Sequence, residues 1–70
     1  MKAVCVIKCE GYREFIERDS VQEALKDGQQ AALALATKGR QNVRLAVYEM
    51  VAQAPVVSTH VIHIEKVTKP

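Results

Sequence analysis

From Lys2 to Cys9 the chain alternates: Ala3, Cys5, Ile7 and Cys9 share one side, and Lys2, Val4, Val6 and Lys8 share the other. That period of two, in a run rich in small and β-branched residues, predicts a strand. Glu10-Gly11-Tyr12 supplies a turn, with Gly11 free to take a positive φ. Residues 13–17 then predict a short second strand folded back on the first, though the same residues would also serve as an extended lead-in to a helix. Asp19-Ser20-Val21-Gln22-Glu23 marks the start of that helix. Ser20 can accept from the Glu23 N–H, and the Glu23 side chain can reach back to the Ser20 N–H. Val21, Ala24, Leu25, Gly28, Ala32, Leu35 and Ala36 fall on one stripe at helical spacing, which predicts a helix over residues 21–37. Gly28 inside the stripe costs about 1 kcal/mol relative to alanine, which implies close approach of the helix to the sheet. Lys38-Gly39 ends the helix, with Gly39 as the left-handed cap.

Residues 43–51 predict a third strand, with Val43, Leu45, Val47 and Val51 opposed to Arg44, Ala46, Tyr48 and Met50. Gln53-Ala54-Pro55 reads as a turn, and residues 56–67, dense in valine and isoleucine, as the last strand. Thr68-Lys69-Pro70 is expected to fray. The product is an α+β domain spanning residues 1–70, a ββαββ antiparallel sheet with one helix packed on one face. One helix covers one side of a sheet only. The other side, with Lys2, Lys8 and Arg44 among apolar residues, is too apolar for idle solvent surface and too charged for a core. The last strand reads as apolar on both faces, with Val57 and Val61 on one and Val56, Ile62 and Ile64 on the other. This predicts a homodimer or higher oligomer, with Val56, Ile62 and Ile64 at the interface.

Size sharpens that expectation. A chain of 70 residues removes only about 60% of its unfolded surface from water, so its core needs a staple. Cys5 and Cys9 do not supply one. On a strand their Cα atoms lie roughly 13 Å apart, beyond the limit of about 7 Å for a disulfide and too far to share one zinc. They read as buried thiols. With no h-region at the N-terminus and no apolar run long enough to span a bilayer, the expected location is cytoplasmic, with no membrane partner. The net charge of +2 permits contact with nucleic acid without demanding it.

Candidate chemistry is sparse. His60 and His63, three apart on a strand, are expected on opposite faces about 10 Å apart, without further ligands, so no metal site is expected. Ser58 and His60 share a face but lack the third group of a triad. Glu10, Glu14, Glu17 and Asp19 read as a solvated edge rather than an acid/base pair. The glycines form no phosphate-cradling loop. No catalytic residue and no cofactor is expected, so the chain is not expected to be an enzyme. Lys38, Arg40 and Arg44, with Lys2 and Lys8, could neutralise phosphates. Tyr12, Tyr48 and Phe15 are the aromatic residues available for stacking, and paired sheet aromatics are not evident in the sequence. Leu33 and Ala34 should face outward from the helix. The residues expected to contact a partner or nucleic acid are Lys2, Lys8, Lys38, Arg40, Arg44 and Tyr48.

Met1-Lys2-Ala3 with Ile7-Lys8, then Ile16-Glu17 and the Ser20-led helix with Gln22 and Ala24, resembles small phage-borne anti-CRISPR proteins of the type I-F inhibitor class. The resemblance covers mainly residues 1–38 and gives no binding residue position by position. It implies a non-catalytic protein that binds a host defence complex. The alternative is a homodimeric nucleic-acid-binding regulator. Were residues 13–17 not a strand, the order βαββ would resemble the dodecin flavin-storage family, a small-molecule carrier, although the tryptophan used there for flavin stacking is absent here.

Overall fold

A computed structural model describes residues 2–53 and 56–68, and the side chains of these except 51–60. The chain runs β1 (Lys2–Cys9), β2 (Tyr12–Arg18), α1 (Val21–Thr37), β3 (Arg44–Gln53) and β4 (Val56–Lys66), an α+β fold in the order ββαββ. The β2 strand forms in full, pairing Cys9 with Tyr12 through to Ala3 with Arg18. This removes the premise of the βαββ alternative. The expected turn at Ala54-Pro55 and the tail at Lys69-Pro70 lie outside the described residues.

The sheet is antiparallel in the order β2-β1-β3-β4. Both β2 and β3 pair antiparallel with β1 and are therefore parallel to each other, which requires a long crossover between them, and α1 supplies it. The helix packs on β1, β3 and β2. Its contact spine is Ala24, Gly28, Ala32 and Ala36, one small residue per turn, with Val21, Leu25, Ala31 and Leu35 half-buried alongside. Beneath lie Ala3, Cys5, Ile7, Ile16, Val43, Leu45 and Val47, all buried. The faces of β1 and β3 therefore sort as their alternation predicts.

The helix ends follow local chemistry. The Ser20 hydroxyl accepts from the Glu23 N–H at 3.1 Å, and the Ser20 carbonyl accepts from Ala24 N–H at 3.0 Å. The return bond from the Glu23 carboxylate is absent among the described residues, so the expected reciprocal box is half made. At the other end Gly39 has φ 91°, its N–H donates to the Ala36 carbonyl at 3.0 Å, and the Arg40 N–H donates to the Leu35 carbonyl at 3.1 Å. That pair of bonds is the Schellman arrangement and satisfies carbonyls the helix leaves free. Because Ser20 closes its end alone, Ser20→Ala is expected to lower stability by about 1 kcal/mol, read from a urea titration.

The β3–β4 pairing contains the one departure from alternation that matters. Toward Gln53, Val51 faces Ser58 and Tyr48 faces Val61, but beyond an irregularity Val47 faces His63 and Arg44 faces Lys66. Ile62 is the extra residue of a β-bulge. Val61 therefore sits beside Tyr48 on the side away from the helix, and Ile64, beside Ala46, lies on that side too. The expectation that Val61 and Ile64 lie on opposite faces is corrected here, because the sequence spacing alone does not count an inserted residue. On the helix side β4 presents His63 and Glu65, with Val67 just beyond its end, not an apolar stripe. His63 Nε2 lies 2.9 Å from Glu65 Oε2, and Gln29 on α1 donates to Glu65 Oε1 at 3.4 Å.

Candidate functional site

The uncovered face of the sheet is built from every second residue of four strands, and the registers arrange these into rows. Across the first row Arg13, Lys8, Arg44 and Lys66 stand side by side, one from each strand. The next row is Phe15, Val6, Ala46 and Ile64, and the third is Glu17, Val4, Tyr48 and Val61. Lys2 and Met50 begin a fourth. Phe15 is 62% exposed and Ile64 66%, while Val4, Val6, Ala46 and Tyr48 are half-buried against their neighbours. Two shallow depressions run along the face and meet at Val6, Lys8 and Tyr48.

The cation row is unusual on physical grounds. Directly opposed like charges destabilise a sheet, and here four occupy adjacent strands, each exposed. Among the described residues none of the four takes part in an ion pair. The three pairs found are Lys2 with Glu17 at 3.1 Å, Arg18 with Asp27 at 2.7 Å, and His63 with Glu65 at 2.9 Å. The bulge contributes directly to this arrangement. Carried on without the bulge, with Ile62 paired in the ladder, the Tyr48–Val61 register would place Glu65 opposite Arg44. With it, Lys66 takes that place and Glu65 turns to the helix side.

Charge is consequently segregated. Among the described residues the open face carries Lys2, Lys8, Arg13, Arg44 and Lys66 against Glu17 alone, a net +4, whereas the whole chain is +2. Everything else is therefore net negative. Of the residues expected to make contacts, Lys2, Lys8, Arg44 and Tyr48 are together on this face. Lys38 and Arg40 are not. They leave the helix C-terminus on the opposite side, where the Arg40 guanidinium lies 5.4 Å from the centre of the Tyr12 ring. Tyr12 there donates to Glu14 at 3.1 Å, and that bond to a carboxylate pushes the phenol above its ordinary pKa. Ile62 and Ile64 are both exposed, Ile64 on the open face, and the side chain of Val56 lies outside the described residues.

Arg13, Phe15 and Lys66 belong to the face, and of these sequence reasoning named only Phe15, as an aromatic available for stacking. A signal existed for the first two. A hairpin closed by Glu10 and Gly11 opposes Cys9 to Tyr12, and counting back sets Lys8 against Arg13 and Val6 against Phe15. Phe15 and Tyr48 thus share the open face, on strands separated only by β1, although no sequence motif pairs them.

No family matches. Compared with protein-family models, curated proteins and solved structures, the chain gives no significant match. The reading therefore rests on geometry. No group of three metal-ligating side chains is present among the described residues, and none of their helices is long and apolar enough to cross a membrane.

The buried thiol at Cys5 behaves differently from a reactive cysteine. Burial, and secondarily the charge of Glu14, push it from 9.0 to about 11. A thiol whose pKa is raised by folding adds stability that is complete below its unfolded pKa and disappears as pH rises through the folded value. The urea midpoint should therefore fall between about pH 9 and about pH 11, and Cys5→Ala should flatten that fall. A thiol reagent at pH 7 should modify Cys5 only as fast as the protein opens.

Proposed function

We propose that this chain is a non-catalytic nucleic-acid-binding protein that works through the open face of its sheet. The observation that carries the reading is the charge segregation: five cations and one carboxylate on one face of a chain whose overall charge is only +2. A modest net charge attracts a polyanion weakly when it is dispersed and strongly when it is gathered on one surface. The row of four has no internal counter-charge, so phosphates lying along it would relieve the mutual repulsion of the cations. A host defence complex, the target that the phage-inhibitor resemblance implies, would have to offer this same face an acidic surface. The homodimer expected from a two-faced β4 becomes a competing occupant of the open face, since Val61 and Ile64 are both there.

The test compares two pairs of cations on opposite sides of the molecule. Arg13→Ala with Arg44→Ala should weaken binding to mixed-sequence nucleic acid more than tenfold and flatten the log–log salt dependence by roughly 1.5. Lys38→Ala with Arg40→Ala should change affinity less than twofold. Equal effects of the two pairs, or no binding at low salt, would defeat the reading.

A further inference from the structure

We propose that the open face takes a single strand of nucleic acid, with its phosphates along the Arg13–Lys8–Arg44–Lys66 row and its bases on Phe15, Val6 and Tyr48. The inference rests on the nucleic-acid reading above and adds the form of the ligand. Three features of the face select a single strand.

The first is width. Four strands spaced about 4.8 Å apart place the outer two roughly 14 Å from each other before side chains are counted. The major groove of a duplex is about 12 Å wide and admits a helix or a two-stranded ribbon. A four-stranded face cannot enter it, and a flat face touches only the rim of a duplex.

The second is the order of the rows. Two residues along a strand, about 7 Å, separate the cation row from the apolar row. Phe15 and Ile64 lie at the two ends of that row, exposed, with Val6 and Ala46 between them. Apolar surface next to phosphate-binding cations has no use on a duplex, whose bases face inward. A single strand displays its bases to one side of its phosphates, and aromatic rings on a sheet stack such bases without regard to sequence. The Phe15 ring is free to do so, being packed under no other element.

The third is the position of the lone carboxylate. Glu17 lies in the third row, two rows from the cations, and is held by Lys2 at 3.1 Å. It repels nothing that runs along the first row. A second copy laid face to face would instead bury cations against a surface that offers one carboxylate for five of them, and charges buried without partners oppose association. An acidic protein would answer the first row but leave the apolar row without a specific occupant.

The experiment measures anisotropy of labelled twelve-nucleotide oligothymidylate, oligouridylate and a mixed-sequence duplex of equal length, each titrated with the full chain at several salt concentrations. Both single strands should bind at least tenfold more tightly than the duplex, with a salt slope of roughly −3 for four phosphates at about −0.7 each. The ranking of the two single strands separates DNA from RNA as the source. Phe15→Ala should weaken single-strand binding roughly tenfold with the slope unchanged, and Phe15→Tyr, which keeps the ring, should restore it. Lys8→Ala should instead flatten the slope by about 0.7. Salt-dependent binding that favours the duplex, or ignores Phe15→Ala, overturns the single-strand proposal and leaves the nucleic-acid reading standing. Absence of binding to all three overturns both. A doubled mass in gel filtration that Phe15→Ala returns to the monomer value assigns the face to a second copy and overturns the proposal.

Discussion

Gly28→Ala should lower the thermal midpoint by about 10 °C, a loss of about 2 kcal/mol in a domain of this size. In a free helix the same change would gain about 1 kcal/mol. The sign reverses because a Cβ at Gly28 would collide with Cys5 Sγ and stand 3.0 Å from Cys5 Cβ and 3.3 Å from Leu45 Cδ1. Both neighbours are fully buried in the middle of the sheet, so neither side chain has solvent to move into. The helix must rise, and the Ala24, Ala32 and Ala36 contacts on either side rise with it. Removing the sulfur should recover part of the loss: Gly28→Ala with Cys5→Ala should be less destabilised than the two single effects added together, by about 1 kcal/mol. A Gly28→Ala protein as stable as the parent would show that the helix has room to spare.

Arg44→Glu should abolish nucleic-acid binding and at the same time stabilise the fold. Arg44 stands between Lys8 and Lys66 in the cation row. A carboxylate there would replace two like-charge neighbours with two opposite ones, each such cross-strand pair contributing about 0.2–1 kcal/mol. Stability should rise by about 0.5–1 kcal/mol in low salt and the gain should shrink as salt is added. Binding should fall more than tenfold, because the middle of the phosphate track would become negative. Opposite movement of stability and affinity distinguishes a row kept for a ligand from one that is merely solvated. If stability falls together with binding, Arg44 is instead part of what holds the sheet together.

Local features were the legible ones. The helix from Val21 to Thr37 could be read because its cap, its stripe and its terminal glycine all lie within or beside the helix itself. The buried faces of β1 and β3 could be read because alternation is a property of one strand. The close approach at Gly28 followed from a glycine placed where a helix would prefer alanine. What was not legible is non-local. Arg13, Lys8, Arg44 and Lys66 come from four strands, and they meet only because three pairings have particular registers. The last register depends on a bulge at Ile62 that no residue type there announces. Lys38, Arg40 and Arg44 looked like one cluster because they are close in sequence. The chain crosses from the helix layer to the sheet between Arg40 and Arg44, and the group divides between two sides of the molecule.

The bulge also decides which kinds of mutation the outer strand can accumulate. The helix packs on β1, β3 and β2 and meets β4 at the Gln29–Glu65 hydrogen bond, while Val61, Ile62, Ile64 and Lys66 are exposed, so exchanging one of these side chains for another disturbs little packing. Length is another matter. Deleting Ile62 would only close the bulge and leave His63 opposite Val47 and Lys66 beside Arg44, but one residue inserted after Ile64 would carry Glu65 into the place of Lys66 and turn Lys66 toward the helix side. Every position from there to the end of the strand would exchange faces. The outer strand is therefore permissive to substitution and to loss of its bulge residue but intolerant of insertion, so a lineage could retune what the face prefers one residue at a time, while a residue added within the strand would turn everything beyond it away from the face.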